Sequence, residues 1–327
     1  MSIPILVEDY YGHAGKWIYD GYAKAFEAVG REVIRYHTPA QVIDAEIKLE
    51  GKPFQIFVKP NQGKGSELQL RAKQYDLMIT DWHIESWNAE YIINARRVYL
   101  YVQPTSFPDP WGRHRNFVSV RKEDPDAIEF INSLDNVIKW AFSEITPEYY
   151  SDWGTVHQVP LAFDSISYKH LEDDRYKFDV CFVGGLADNG FGEKEKIMMK
   201  HFAEIKKLGL NCGIFINKGL THEQENKVLY NSKIAINIHD AYQRTLGLDV
   251  NERTFKSLGL TGFLISDYVR TMESLLPEVP LASTPEEMKD LILKYIDMDL
   301  SEIKDKNRKN ILENHTYISR VKLLESL

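Results

Sequence analysis

The chain has 327 residues, 43% of them hydrophobic and 27% charged, an ordinary globular composition at a length where single cores stop growing and two domains are expected. Its net charge of −8 excludes broad, sequence-independent attraction to nucleic acid, which needs a strong basic excess; a local basic cleft stays open. No segment reaches the roughly 20 apolar residues of a membrane span, and "MSIPILVEDYYG" lacks the basic region and long apolar run of a signal peptide, so a cytoplasmic location is expected.

"IPILVED", "KWIYDGYAKAFEAVG" and "EVIRYH" read as strand, helix and strand, with Ile18, Tyr22, Ala25, Phe26 and Val29 on one helical face and Gly30 as its stop. "YDLMITDWH", "RRVYLYVQP" and "NVIKWAFSEI" add strand-like runs, which makes the first half one parallel-sheet domain. "GKPFQIFVKPNQGKGSELQ" breaks that rhythm as a hairpin or an excursion. A boundary falls near Pro160, and "FDVCFVGG" opens a second α/β series. There "EKEKIMMKHFAEIKKLG" sets Ile197, Phe202, Ile205 and Leu208 on one side, and Thr221 and Gln224 stand at capping-box spacing. "KIAINIH" and "GFLISD" are strands. Thr284, Pro285 and Glu287 form a helix start with a second box. Residues 301–327 are helical and charged. The expected domains are therefore 1–160, 161–300 and a tail from 301 to 327. Cys181 and Cys212, the two cysteines, lie in strand-like runs and are expected as thiols, with no zinc spacing.

Ligands of open α/β sheets bind outside the carboxyl ends of the strands, and for two facing domains the deep site is the cleft between them. Gly184 and Gly185 end a strand and can bring backbone amides to an anion, or they form a plain turn. "AINIHDAYQRTLGLDVNERTFKSLG" is the richest stretch. It runs from His239 and Asp240 through Arg244 to a helix start at Asn251, Glu252 and Arg253. A helix N-terminus favours anions, and an arginine adds the donor fork that suits phosphate. Glu252 or Asp240 can accept from sugar hydroxyls, and Lys218 can reach a diphosphate. The plain alternative is an Asn251 cap with a first-turn acid. In the first half, Gly12 and Gly15 lie between the first strand and helix, with Glu8, Asp9 and His13 as acid–base candidates. Trp82, Trp87, Trp111, His114 and Arg115 form an acceptor platform or simply core. The Asp-x-Asp patterns at 124–126 and 297–299 read as solvent-facing, because neither follows an apolar strand.

Four segments together resemble the glycosyltransferase group related to the spore maturation protein CgeB. They are "PLAFD" (160–164), "YKFDVCFVGG", "LYNSKIAINIH…NERTFKSLGLTGFLISD" and a terminal "HTY…R" helix. The resemblance covers residues 155–327. It implies the GT-B fold, α/β, with two facing Rossmann-like domains and a C-terminal helix able to cross back to the first. It implies a nucleotide sugar as co-substrate, UDP-sugar by default, with no cofactor and no obligatory metal. Positive side chains and helix N-termini would instead stabilise the leaving diphosphate. One departure is Lys256, where the family carries an acid that commonly binds the donor ribose. Either Glu252 takes over that role, or Lys256 adds a cation near the diphosphate, or activity is impaired. The expected function is a soluble glycosyltransferase with Arg253 at the diphosphate and His13 and Asp9 on the acceptor side. The acceptor stays open among a saccharide, a protein, a small molecule and a modified DNA base. A catalytically weak nucleotide-sugar-binding or scaffold protein and a sugar-nucleotide epimerase are the alternatives.

Overall fold

The computed structural model describes residues 3–8, 13–36, 74–80, 89–104, 125–188 and 191–327. These form two compact units, Met1–Val159 with Val321–Leu327, and Pro160–Arg320. Strands are numbered in chain order and helices are named by their residues. The irregular stretch from Gly51 to Gln69 lies outside the described residues.

The first unit holds a six-stranded parallel sheet. Its strands are β1 (Ile5–Glu8), β2 (Val33–Tyr36), β3 (Asp76–Thr80), β4 (Arg97–Tyr101), β5 (Val137–Ala141) and β6 (His157–Gln158), in the order β2-β1-β3-β4-β5-β6. Ile5 stands opposite Val33 on one side and Asp76 on the other. β1 is buried on both faces at Ile5, Leu6 and Val7, as parallel sheets require. The His13–Ala28 helix covers one face with the predicted stripe: Ile18, Tyr22, Ala25 and Phe26 are buried, while Val29 at its end is half-buried. Tyr22 meets Trp140 edge-on at 5.3 Å between ring centroids, a geometry that aromatic quadrupoles favour.

Among the described residues of this unit one carboxylate is fully buried. Asp76, at the start of β3, accepts from Arg96 Nε at 2.9 Å and from both Arg96 and Arg31 Nη2 at 2.6 Å. Two guanidiniums make its burial tolerable, because a buried charge needs pairing and filled hydrogen bonds. Arg31 also binds the Glu325 carboxylate at 2.6 Å. The end of the C-terminal Tyr317–Ser326 helix is thus tied into the first unit.

The second unit holds a five-stranded parallel sheet. β7 (Val180–Gly184), β8 (Cys212–Ile216), β9 (Ile234–Asn237), β10 (Leu264–Asp267) and β11 (Leu281–Ala282) are ordered β8-β7-β9-β10-β11. The strand order reverses between β7 and β9, which is where such sheets open a crevice for ligands. The Lys194–Lys206 helix buries Met198, His201 and Ile205, with Ile197, Phe202 and Leu208 half-buried beside them. Thr221 and Gln224 form the predicted reciprocal box. Thr284 caps its helix by accepting from the Glu287 amide at 3.1 Å, but the Glu287 carboxylate reaches one residue further back, to the Ser283 amide at 2.7 Å. Cys181 is buried, Cys212 half-buried, and both are free thiols.

Candidate functional site

The carboxyl ends of β7 and β9 are joined by one side chain. Arg253, in the first turn of the Glu252–Leu260 helix, donates from Nη1 to the Asn237 Oδ1 at 3.0 Å and to the Ile238 carbonyl at 3.3 Å. Its guanidinium packs over the Phe182 ring, 4.8 Å from the centroid, a favourable cation–π placement. The space it fills exists because residue 184 is glycine: a Cβ there would lie 2.5 Å from Arg253 Cζ and 2.6 Å from Nε. Gly184 thus serves the arginine's seat. The neighbouring amide of Leu186 is taken by the Asn217 side chain at 3.3 Å, with Asn217 itself at a positive φ of 51°. Lys218 is exposed on this same loop.

The helix start is fixed from below. Asn251 is the expected N-cap, accepting from the Thr254 amide at 3.2 Å. Fully buried Asn237 donates to Asn251 Oδ1 at 3.1 Å and to Thr254 Oγ1 at 2.9 Å. His239, also fully buried, faces Asp267 through Nδ1 at 2.7 Å, and its Nε2 lies 3.3 Å from Asn237 and from Thr254. Both ring nitrogens are therefore occupied within the protein, so His239 organises the site from beneath. Arg244 Nε sits 3.3 Å from the other Asp267 oxygen. Burial pushes Asp267 up, but His239 and Arg244 outweigh it and leave the carboxyl below its usual range.

A second cation stands beside Arg253. Lys194, only 4% exposed, pairs with Asp240. Its backbone amide and that of Glu193 bond the Asp188 carboxylate at 3.0 and 2.8 Å, and the other Asp188 oxygen accepts from the Ala241 amide at 2.7 Å. Asp188 thereby ties the loop after β7 to the loop after β9. Burial pulls Arg253 below its ordinary pKa; burial and the nearby Arg253 charge do the same to Lys194. Two cations held together with incomplete compensation form a place where an anion lowers the energy. Close by, burial pushes the Asp249 carboxyl up to about 7.

Lys256 is accounted for by its partners. It lies 2.6 Å from Glu225 and 3.6 Å from Glu252, and Glu225 in turn accepts from the Tyr168 hydroxyl at 2.9 Å. Burial opposes its charge, but the two carboxylates hold the ammonium above its ordinary value. Of the three expectations for this position, a cation offered to the diphosphate fits least, because Lys256 is neutralised where it stands.

The structure gathers Gly184, Gly185, His239, Asp240, Arg244, Asn251, Glu252 and Arg253 at one end of the second sheet. It leaves Lys218 at the rim and brings in Lys194, Asp188, Asn237, Asn217 and Asp267, which the sequence reading did not assign. His13 opens the first helix of the other unit. Asp9, Gly12, Trp82, Trp87, Trp111, His114 and Arg115 lie outside the described residues. Asp299 is exposed and accepts from the Ser301 amide and hydroxyl at 3.0 and 2.7 Å, which agrees with a solvent-facing role for that Asp-x-Asp pattern. Among the described residues no three His, Cys, Asp or Glu side chains form a metal-binding group, and no helix is long and apolar enough to cross a membrane.

Residues 174–326, just under half of the chain, match the family model described as glycosyl transferase-like. No curated protein matches the chain. Among solved structures, the spinosyn forosaminyltransferase SpnP shares 12% identity at a TM-score of 0.53, over 99% of this chain and 98% of that one. An alpha-glucosyltransferase in complex with UDP-glucose and DNA containing an abasic site shares 14% at 0.53, over 100% and 98%. The chain has the GT-B fold. TarM, at 12% identity and a TM-score of 0.51, is matched over 78% of this chain, which spans only about half (55%) of TarM. In the GT-B architecture described here, both Rossmann-like units carry the 2-1-3 strand order that opens a crevice at the switch point, and Arg253 occupies that point in the second.

Proposed function

We propose that the protein is a glycosyltransferase that binds a nucleotide-sugar donor, a UDP-sugar by default, in the second unit. The observation that carries this reading is the seating of Arg253 on Gly184 and Asn237, with Lys194 beside it, at the strand-order reversal. The diphosphate lies against these two cations and the Asn251–Arg253 helix start. As the glycosidic bond breaks, negative charge grows on the departing phosphate oxygen. Fixed guanidinium and ammonium groups stabilise that charge without reorganising at the moment of reaction. They take the part a divalent metal would otherwise play, so transfer proceeds without one. Lys194 exchanges Asp240 for the incoming phosphate. Glu252, held at the edge of the same helix, faces the donor's hydroxyls in place of the acid that Lys256 replaces. His13 and Asp9, which belong to the first unit, are the residues assigned to the acceptor.

The finer assignment, to the group related to CgeB, is supported by a contact between two of its four motifs: the "PLAFD" and "HTY…R" segments bond through Arg320 to the Pro160 carbonyl at 2.8 Å. Thermal denaturation against a panel of nucleotide sugars and nucleoside diphosphates tests the proposal. A true donor at 100 times its dissociation constant stabilises by about 2.7 kcal/mol, and Arg253→Ala abolishes the shift. A panel that gives no shift, or a shift that survives Arg253→Ala, contradicts it.

A further inference from the structure

A cavity of about 410 Å³ opens at the amino ends of the second sheet, opposite the carboxyl ends that carry Arg253. It is lined by Lys177, Asp179, Tyr230, Lys233, Asp299 and Lys304 among others. That volume lies within the range of small-molecule sites. Lys304, in the Ser301–Asn314 helix, is half-buried in its wall and donates to the Ser232 carbonyl at 2.8 Å.

The charges around Lys304 are unevenly spent. Lys177 is paired with Asp174 at 2.7 Å. Asp179 accepts from the Asn211 amide at 2.9 Å, and Asp299 accepts from the Ser301 amide at 3.0 Å. Arg308, one turn along the helix, donates to the Leu260 and Thr261 carbonyls and lies 3.6 Å from Asp305. Cys181, fully buried behind the wall, is pushed up to about 11 and stays a neutral thiol. Among the described residues neither Lys304 nor Lys233 forms an ion pair.

We propose that Lys304 is a covalent modification site for small aldehydes that carry a phosphate group. The Nζ lone pair attacks the carbonyl carbon and a C=N bond forms. The carbonyl oxygen leaves as water with the two amine protons, so no oxidant or reductant is needed. Lys233 lines the same cavity; its charge acts on Asp299 without a close ion pair, and it holds the phosphate. The arrangement favours attack because burial and the Arg308 and Lys233 charges, opposed by Cys181, bring Lys304 down to about 8, and the free amine is the nucleophile. This inference does not rest on glycosyl transfer.

The test is labelling of the whole protein with pyridoxal 5′-phosphate, trapping with borohydride and mapping of the adduct. One dominant adduct at Lys304 is expected. Lys304→Arg removes it, and Lys233→Gln raises the reagent concentration needed for half-labelling several-fold. Adducts spread evenly over exposed lysines overturn the proposal, as does single-site labelling that persists in Lys304→Arg. The wild-type pH profile gives a reading free of any folding defect. Labelling at Lys304 is half-maximal near pH 8, whereas a profile still climbing towards the ordinary lysine value of about 10.4 contradicts it.

Discussion

Arg253 is the residue on which the proposed chemistry depends, and its position is set by an absence. Gly184 has no Cβ, and the guanidinium occupies the space a methyl group would take. Arg253→Ala is expected to lower the transfer rate by about 10²–10³, the cost of losing one preorganised donor to a developing oxyanion. Gly184→Ala should approach that loss while every charge is kept, because the methyl displaces the guanidinium; steady-state rates of both variants check this, and wild-type rates in either contradict the seat. Lys256 makes a separate prediction. Replacing it by Met leaves Glu225 and Glu252 buried without their cation, and breaking a buried pair costs about 3–5 kcal/mol. Denaturant unfolding should show that loss; unchanged stability with a collapsed rate would mean that Lys256 serves the diphosphate after all. At this scale the sequence was partly legible. Arg253, Asn251 and Gly184 stand at a helix start and a strand end, positions with local signatures. Lys194 reads as an ordinary helix-start lysine, and only the fold brings it to Asp240. Asn237 did leave a signal: two polar residues, Asn237 and His239, alternate on one face of a buried strand.

The Glu252–Leu260 helix gains its fixed aim from the elements around it. Phe163 lies against Gly259, Phe255 against the His315 ring at 5.6 Å, and Arg308 holds the carbonyls of Leu260 and Thr261 at 2.9 and 3.1 Å. Phe163 also bridges to Thr316. The motifs quoted from the sequence therefore brace one helix, which explains in packing terms why they occur together. A Cβ on Gly259 would fall 2.9 Å from the Phe163 ring, so Gly259→Val should destabilise by about 1–3 kcal/mol, the usual cost of overpacking. A variant with an unshifted denaturant midpoint would show that Phe163 yields freely and that the brace is loose. Helix and strand identities in this half were readable because their periodicity is long and their caps are explicit. The reach of Glu287 to Ser283 instead of Thr284 was not, since a one-residue choice between neighbouring amides depends on local backbone angles that spacing does not carry.

For the whole molecule, two α/β units in series follow from alternating strand and helix signals and the GT-B architecture from the resemblance of the four motifs, whereas neither carries the strand order. The 2-1-3 order in each sheet comes from which strands meet in space, and it is this order that puts β7 beside β9 and creates the crevice. The return of Val321–Leu327 to the first unit is likewise a matter of long-range partners, Arg31 with Glu325, far apart in sequence. On the proposed function, the crevice at the ends of β7 and β9 holds the diphosphate of a nucleotide-sugar donor. The structure of the protein with a nucleoside diphosphate bound is the most direct measurement. Phosphate oxygens are expected within hydrogen-bond distance of the Arg253 guanidinium and the Lys194 ammonium, with Asp240 released from Lys194. A diphosphate seated elsewhere, with Arg253 still bonded only to Asn237 and Ile238, would contradict it.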